Sequence, residues 1–260
     1  MKIIVLLKMV PDVVEELELA ADGKSLNTEF LRMIANEPDN HALEEALLLK
    51  ERYSGTVTVV ALDAPEVDDA LFTALAKGAD RALKITDGDA MLGTCAGAYR
   101  LAQTLSTVPG LLPADLILTG AQAIDDLDGL TAPLISHMLR LPELGIVTRV
   151  DVNSATAVAT VVREFPGGVR GTYEVKLPAV LGIQAAEKPP RYVPVAKVRA
   201  AMKSQVIQSV PAPPGDGGFR SSPVVEMTKP KVAGHAQMLE GSEEEIANQF
   251  CEILATHGLL

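Results

Sequence analysis

Short apolar runs that alternate with helical patterns constrain the fold of this chain more than any other feature. The runs are rich in valine, isoleucine and leucine, which is typical of strands buried on both faces of a parallel sheet. They occupy residues 2–7, 56–62, 82–85 and 116–118, and apolar residues at helical spacing fill the intervals at residues 39–50, 66–77 and 90–105. This alternation predicts an α/β fold with a doubly wound, mostly parallel, Rossmann-like sheet and right-handed crossovers.

Several turns are expected at the carboxyl edge of the predicted sheet, where such sheets bind ligands. They follow residues 7, 62 and 119, and another covers residues 36–39. Asp39 is a candidate cap for the helix behind that last turn. Glu44 and Glu45 of this helix are expected to face solvent, because the apolar residues repeat on the other side.

The most informative stretch is DLILTGAQAIDDLDGLTAP at residues 115–133. Gly120 lets the backbone turn sharply after the buried strand, and Asp128 can cap the helix that follows. Free amides in the first turn of that helix suit a phosphate, whereas Asp125 and Asp126 place negative charge at the same position. A solvated acidic loop beside a capped helix fits the same residues, and the residues alone leave both interpretations open.

Beyond residue 142 the pattern changes to short alternating strands, which predict an antiparallel ribbon followed by a buried strand. The ribbon strands are expected at residues 147–152, 157–163 and 171–176, and the buried strand at residues 177–183. Proline and glycine dominate residues 204–231, which predicts an extended arm with little structure of its own, and Ser242 opens a final helix through a capping box. We therefore expect an α/β domain at residues 1–203, and an arm with a C-terminal helix at residues 204–260 that docks on a partner subunit.

Composition and missing motifs exclude several functions. The formal net charge of −11 argues against nucleic acid as a partner. No apolar run is long enough for membrane insertion, and the N-terminus lacks the pattern of a signal peptide, so a cytoplasmic protein is expected. The chain has no G-x-G-x-x-G, phosphate-loop or G-x-S-x-G motif, and its four histidines lack metal-ligand spacing. We therefore predict no catalytic residue and no metal ligand.

Several phrases resemble, in the same order along the chain, the electron transfer flavoprotein β-subunit family. The loop GAQAIDDLDGLT at residues 120–131 is similar to the adenine-nucleotide loop of that family. Residues 36–39 are similar to its Asn-Pro-x-(Asp or Cys) element, although Glu37 before Pro38 departs from the pattern. Further matches are Lys8, Val10 and Asp12 after the first strand, ALAKGADR at residues 74–81, KLPAV at residues 176–180 and Pro190-Arg191-Tyr192. The resemblance covers nearly the whole chain and implies an adenine nucleotide α hydrolase-like variant of the predicted fold.

By this resemblance the chain is an electron carrier subunit, not an enzyme by itself, and works as a heterodimer with an α subunit. The α subunit would hold most of a shared FAD, and electrons would pass from a flavin dehydrogenase to a quinone oxidoreductase or another acceptor. Ordinary family members bind AMP structurally in the β subunit, whereas electron-bifurcating members hold a second FAD and use NADH. Thr131 matches the AMP type and Pro133 the bifurcating type, and we favour AMP. A stand-alone adenine-nucleotide binding protein is an alternative from another functional class.

The resemblance also implies site residues, carried over position by position. The nucleotide contacts would be Leu6, Asn36, Glu37, Pro38, Asp39, Asp63, Gly120, Ala121, Gln122, Ala123, Ile124, Asp125, Asp126, Leu127, Asp128, Gly129, Leu130 and Thr131. Ala121 lacks the basic side chain that is usual at its position. Partner recognition would use Glu187, Lys188, Pro189, Pro190, Arg191 and Tyr192. Glu187 stands where the family has an apolar anchor, so a dedicated partner with a basic site is expected, unless the loop has shifted and Ala186 or Pro189 is the anchor.

Overall fold

A computed structural model describes residues 1–86, 93–215, 217–218, 223–230, 236 and 238–260. Strands and helices alternate along this part of the chain. The strands are Lys2–Leu7 (β1), Met9–Pro11 (β2), Met33–Ala35 (β3), Thr56–Leu62 (β4), Arg81–Thr86 (β5), Leu116–Gly120 (β6), Glu143–Asn153 (β7), Val158–Glu164 (β8), Arg170–Lys176 (β9), Ala179–Ile183 (β10) and Ile207–Pro211 (β11). The helices are Glu37–Tyr53 (α1), Val67–Lys77 (α2), Thr94–Thr107 (α3), Thr131–Leu139 (α4), Val195–Ser204 (α5) and Glu243–Thr256 (α6), with a 3₁₀ turn at Pro166–Gly168.

The main sheet confirms the predicted fold class. Its strand order among the described residues is β11-β5-β4-β1-β6-β10-β7-β8-β9. Strands from β11 to β7 pair in parallel, and β7, β8 and β9 form the expected antiparallel ribbon. The chain runs from β1 outward to β4 and β5, and then places β6 on the other side of β1. The strand order therefore reverses between β1 and β6, which is the position where sheets of this kind bind ligands. We call this position the reversal point.

Apolar layers cover both faces of the central strands, because successive side chains of a strand point to opposite faces. Ile3 and Val5 of β1 belong to the layer that includes α1 and α2, whereas Ile4 belongs to the layer that includes α3 and α4. All three side chains are fully buried. Burial of each side chain contributes about 1.5–3 kcal/mol, so β1 is held firmly at the centre and fixes the turn that follows it.

The extended arm begins later than the sequence indicates. Residues of β11 pair in parallel with β5, from Ile207 opposite Ala82 to Pro211 opposite Thr86. The prediction of little structure after residue 204 is therefore wrong for this segment, because the dense proline and glycine begin only at Pro211, which an edge strand tolerates.

The chain forms two compact units, Met1–Val225 and Glu226–Leu260. The second unit contains α6, which begins after Ser242 as predicted. Glu245 N donates a hydrogen bond to Ser242 Oγ at 3.4 Å, and Ser242 N donates to Glu245 Oε2 at 2.7 Å, which completes the capping box.

Two other predicted elements differ in extent. The Asp22-Gly23 turn is present, with Asp22 Oδ1 accepting hydrogen bonds from the backbone of residues 24 and 25. Around it only a single bridge joins Leu19 to Leu26, because an isolated two-stranded hairpin with few buried side chains is marginally stable. The start of the third predicted helix at residue 90 lies outside the described residues, and α3 is described from Thr94.

Candidate functional site

The carboxylate of Asp39 joins the ends of β1 and β6 at the reversal point. Its Oδ2 accepts a hydrogen bond from Lys8 N at 2.8 Å, and its Oδ1 accepts one from Gly120 N at 2.6 Å. The prediction that Asp39 caps the helix is wrong, because α1 begins at Glu37 behind Asn36 and Asp39 lies inside its first turn. The side chain instead pairs with two backbone amides at the point where the strands diverge.

Asp39 lies in a closely packed environment. It is 5% exposed, and burial raises the pKa of its carboxyl to about 6. The hydrogen bonds from Lys8 and Gly120 oppose that rise, because they favour the ionised form. A Cβ atom at Gly120 would lie 2.5 Å from Asp39 Oδ1 and 2.8 Å from Pro38 Cβ, so only glycine fits there. The first turn of α1 therefore lies directly against the end of β6.

Lys8 pairs with two carboxylates of the loop at residues 121–130, which we call the acidic loop. Its Nζ lies 2.7 Å from Asp125 Oδ1 and 2.6 Å from Asp126 Oδ2. Burial lowers the pKa of the Lys8 ammonium, but the two carboxylates outweigh that effect and raise it. Burial likewise raises the pKa of Asp126, but the hydrogen bond and charge of Lys8, together with hydrogen bonds from Asp128 and Thr94, more than reverse this change. Lys8 thus offsets part of the negative charge that argued against an anion at this loop.

The acidic loop reaches α4 without the cap that the sequence predicts. Asp128 Oδ1 accepts a hydrogen bond from Leu130 N at 2.9 Å within the loop, and α4 starts only after Leu130, without a side-chain cap. The prediction of Asp128 as the cap is therefore wrong. Leu127 and Gly129 have positive φ angles of 54° and 62°, a conformation that only glycine adopts without strain. The backbone of the loop is thus held in an unusual shape next to the uncapped amides of a helix start.

Further hydrogen bonds connect the acidic loop to two helices. Asn36 Nδ2 at the start of α1 donates to Gln122 O at 3.0 Å, and Asn36 N donates to Lys8 O at 2.9 Å. Thr94 Oγ1 at the start of α3 donates to Asp126 Oδ2 at 3.2 Å. The loop, the end of β1 and the starts of α1 and α3 therefore form one hydrogen-bonded unit.

Only some of the predicted nucleotide contacts converge at this unit. Those joined there by hydrogen bonds between separate segments of the chain, directly or through Lys8, are Asn36, Asp39, Gly120, Gln122, Asp125 and Asp126. Leu6 is buried and packs in the apolar layer that includes α3 and α4. Asp63 lies after β4, where its carboxylate is 3.7 Å from Lys84 Nζ. The remaining predicted contacts belong to the acidic loop itself and to the first turns of α1 and α4.

The predicted recognition segment covers two carboxylates of α1. Glu44 and Glu45 are only 3% and 1% exposed, so the prediction that they face solvent is wrong. Arg191 donates to the Glu44 carboxylate from its backbone and guanidinium at 2.8 to 3.0 Å, and Glu187 N donates to Glu45 Oε2 at 3.0 Å. Burial raises the pKa of Glu45 to about 6, which its amide partners offset only in part. The recognition segment, which is distant in the chain, therefore buries the polar face of α1.

The same segment is held at other points and exposes an aromatic ring. Ala186 N donates to His41 Nδ1 at 3.1 Å, and Glu187 Oε2 lies 2.7 Å from a guanidinium nitrogen of Arg52. Tyr192 is 84% exposed. The segment is therefore fixed on α1 while its outer side chains face solvent.

The sequence analysis did not identify three residues that hold the site or the recognition segment in place, namely Lys8, Glu44 and Glu45. A signal existed for Lys8, because a lysine directly after a central strand lies at the edge where an acidic loop was expected. Glu44 and Glu45 carried no such signal, since local periodicity does not show what covers a helix.

No described helix has both the length and the apolar content that crossing a bilayer requires. The described residues also include no cluster of three or more Asp, Glu, His or Cys residues arranged to hold a metal ion.

Comparison with known proteins identifies the family. A family model described as electron transfer flavoprotein domain matches residues 26–214. Electron transfer flavoprotein subunit beta of Methylophilus methylotrophus is 30% identical over 261 residues, which cover 98% of this chain and 98% of the relative. This chain belongs to the electron transfer flavoprotein β-subunit family. The family prediction made from the sequence phrases is therefore confirmed.

Other members of the family are similarly related. The subunit beta of Clostridium acetobutylicum is 31% identical over 255 residues, which cover 95% of each chain. The mitochondrial subunit beta of Oryza sativa subsp. indica is 33% identical over 252 residues, which cover 95% of this chain and 96% of the relative. The similarity to these members of the electron transfer flavoprotein β-subunit family thus extends over almost the whole length, including the acidic loop and the recognition segment.

Proposed function

We propose that this chain is the β subunit of an electron-carrying heterodimer, in which an α subunit holds most of a shared FAD. Family membership supports the proposal, because the relatives are named electron transfer flavoprotein subunits. The flavin supplies the redox chemistry when bound, and this chain supplies binding and orientation. Electrons pass from a flavin dehydrogenase to a quinone oxidoreductase or another acceptor.

AMP is the proposed structural ligand of the β subunit, at the reversal point. The observation that carries this proposal is the convergence of the acidic loop and the start of α1 on Lys8 and Asp39, at the edge where doubly wound sheets bind nucleotides. Lys8 supports this assignment because it offsets part of the negative charge that a phosphate meets at the loop. The amides at the start of α4 are suitable donors for it.

Nucleotide analysis of the purified heterodimer tests the ligand. The heterodimer is denatured, and the released nucleotides are separated and quantified per dimer. We expect one FAD and one AMP. Two FAD without AMP would refute the AMP assignment and would support the electron-bifurcating alternative.

Co-expression tests the partner. The chain is purified alone and together with a co-expressed α-type subunit, and the mass and flavin content of each product are measured. We expect a flavin-containing heterodimer only when both are present. A stable, flavin-free monomer that does not associate with the α-type subunit would instead support a stand-alone nucleotide-binding protein.

The recognition segment is proposed to dock on a dedicated dehydrogenase. Its anchor position holds Glu187, whose carboxylate pairs with Arg52 at 2.7 Å. To dock on an ordinary acyl-CoA dehydrogenase, this charged pair would have to enter a dry apolar pocket of that enzyme. Removing the two charges from water costs considerable free energy, so such a dehydrogenase is a poor partner for this segment. A partner with a complementary basic site is a better one, because it can pair with the carboxylate directly.

Electron transfer from a medium-chain acyl-CoA dehydrogenase tests this docking. The reduction rate of the heterodimer is compared for the native protein, for Glu187→Leu and for Glu174→Leu, which removes an exposed charge from β9. We expect a low native kcat/KM that rises only in Glu187→Leu. Efficient native turnover that Glu187→Leu fails to improve would contradict the role of Glu187.

A further inference from the structure

One histidine and two carboxylates on the same face of α1 hold the backbone of the recognition segment. Ala186 N donates a hydrogen bond to His41 Nδ1 at 3.1 Å, and Glu187 N donates to Glu45 Oε2 at 3.0 Å. The other carboxylate accepts from Arg191 N at 2.9 Å. The three acceptors lie three and four positions apart along the helix, so they are neighbours on its surface. Side chains of α1 thus anchor a segment that lies between β10 and α5.

The hydrogen bond to His41 differs from the other two, because it requires an uncharged side chain. A backbone N–H points at Nδ1, so this nitrogen carries a lone pair and the ring proton is on Nε2. A second proton would make Nδ1 a donor, which would then face the donor of Ala186. A protonated carboxyl group, by contrast, keeps an oxygen that accepts. Of the three bonds, protonation therefore breaks the one at His41, and histidine is the residue type that gains a proton in mild acid.

We propose that His41 is a positioning residue of the recognition segment, which its neutral imidazole holds and its protonated form releases. This inference rests on the docking role proposed above for the segment, and it adds a regulation of that role. The segment is ordered for docking in neutral solution. Mild acid loosens it at Ala186, next to the anchor position.

Carboxylates of α1 are the first groups to consider as partners for a protonated His41. Glu37 lies one turn before it and is exposed, so water and salt screen its charge. Glu44 already pairs with the guanidinium of Arg191 at 2.8 Å. Burial raises the pKa of Glu45 to about 6, so this side chain loses its charge in mild acid. These three carboxylates therefore do not compensate a charged imidazole there.

The charged groups of the segment and of the ribbon do not favour a charged imidazole either. Glu187 pairs with Arg52 at 2.7 Å, and the same guanidinium lies 2.8 Å from Asp151 of β7. Both carboxylates therefore have a cation already. Lys188 adds positive charge to the segment. Protonation of His41 thus costs the segment a backbone anchor without supplying an ion pair in its place.

Amide hydrogen exchange on the purified heterodimer tests the inference without a donor enzyme. Exchange at Ala186 is followed by mass spectrometry with fragmentation, at about pH 7.5 and about pH 5.5. Each rate is divided by the rate of an unstructured amide at the same pH, which removes the ordinary pH dependence of exchange. We expect the protection of Ala186 to fall about twofold to tenfold in acid, which corresponds to the loss of one hydrogen bond.

His41→Asn is the matched variant, because the side-chain oxygen of asparagine is as many bonds from Cα as Nδ1 is and accepts at either pH. It should keep the protection of Ala186 in acid. His137→Asn, which removes an exposed histidine from α4, should lose that protection as the native protein does. Native protection that does not change with pH would overturn the inference, and so would a loss that persists in His41→Asn.

Glu45→Gln decides the inference independently when His41→Asn does not assemble. Glutamine keeps an acceptor and does not titrate, so the loss at Ala186 in acid should remain. Its disappearance would assign the effect to Glu45 and overturn the role of His41. Docking is measured separately, by turnover with the acyl-CoA dehydrogenase as described above. A failure of the docking proposal therefore leaves the exchange result unchanged.

Discussion

One methyl group added at Gly120 should separate the start of α1 from the end of β6. The new Cβ would lie 2.5 Å from Asp39 Oδ1, 2.8 Å from Pro38 Cβ and 2.9 Å from Asp39 N. Two of these atoms belong to a proline ring and to the helix backbone, so no side-chain rotation relieves the overlap. The first turn of α1 must move, and the hydrogen bond from Gly120 N to Asp39 lengthens with it.

The expected loss of stability follows from three contributions. Overpacking of a buried site costs about 1–3 kcal/mol. Weakening a hydrogen bond to a charged group costs about 1.5–3 kcal/mol. Alanine reduces the entropy of the unfolded chain, which offsets about 0.4–1 kcal/mol. Gly120→Ala should therefore lower the free energy of unfolding by about 2–5 kcal/mol, a large part of the total for a typical domain.

Urea unfolding of the heterodimer, followed by circular dichroism, measures this change. Gly97→Ala in α3 is the control, because its nearest atom to the new Cβ is Leu62 Cδ1 at 3.5 Å, an ordinary contact. Alanine is favoured over glycine in a helix, so this control should gain about 0.5–1 kcal/mol. A Gly120→Ala midpoint equal to that of the native protein would refute the argument from close approach.

Three other predictions concern charge and loop shape. Burial raises the pKa values of Asp39 and Glu45 to about 6, from 3.8 and 4.5, so the folded state binds protons more readily than the unfolded state. Their contribution to the free energy of unfolding therefore falls as pH rises from about 4 to 6, by about 3 kcal/mol for Asp39 and about 2 kcal/mol for Glu45. When the free energy of unfolding is measured in urea across this pH range, Asp39→Asn and Glu45→Gln should each lack the corresponding part of the decrease. Gly129→Val should lower the AMP content of the purified heterodimer, because a β-branched residue does not adopt the positive φ and blocks the approach of the loop to a phosphate. Arg191→Ala should cost about 3–5 kcal/mol in urea unfolding, because it leaves the carboxylate of Glu44 buried without its cation.

Matched controls separate these effects from general damage. Gly23→Val introduces the same residue at the same φ of 62°, with no described atom within 4 Å of the new Cβ, so it should leave AMP content unchanged. Arg170→Ala removes an exposed arginine paired with Glu164, which should cost less than about 1 kcal/mol. AMP loss in Gly23→Val equal to that in Gly129→Val, or equal losses of stability in both arginine variants, would contradict the reasoning.

The central sheet was predictable because its signal is local. The runs at Lys2–Leu7 and Thr56–Leu62 are apolar on both faces, which only a strand covered on both sides requires, and the structure has both strands at those bounds. Burial on both faces also predicted parallel pairing, which brings the carboxyl ends of the strands to one edge, and β1 does pair in parallel with β4 and β6. Ile207–Pro211 had no such signal, because an edge strand with a mixed burial pattern does not differ from a loop in sequence.

The contacts of the site were not predictable in this way, because they join residues that are far apart in the chain. Lys8 Nζ bonds to Asp126 across 118 positions, and Asp39 accepts from Gly120 across 81. Glu45 is covered by a segment 142 positions away, at Glu187. Prediction from the spacing of neighbouring residues does not detect any of these partners. It assigns a carboxylate near a helix start to capping, and a carboxylate on the polar side of a helix to solvent.

Two errors of the local rules, the helix caps assigned to Asp39 and Asp128, fall on residues of the proposed site. Asp128 lies where it could cap α4, and Asn36 stands at the cap of α1, yet neither side chain caps a helix. Giving up a cap costs about 1 kcal/mol for each helix. By contrast Ser242, which has no role in the site, forms a complete capping box. At the reversal point the side chains of Asn36 and Asp128 instead make hydrogen bonds with Gln122 and Leu130, which is why local prediction fails there.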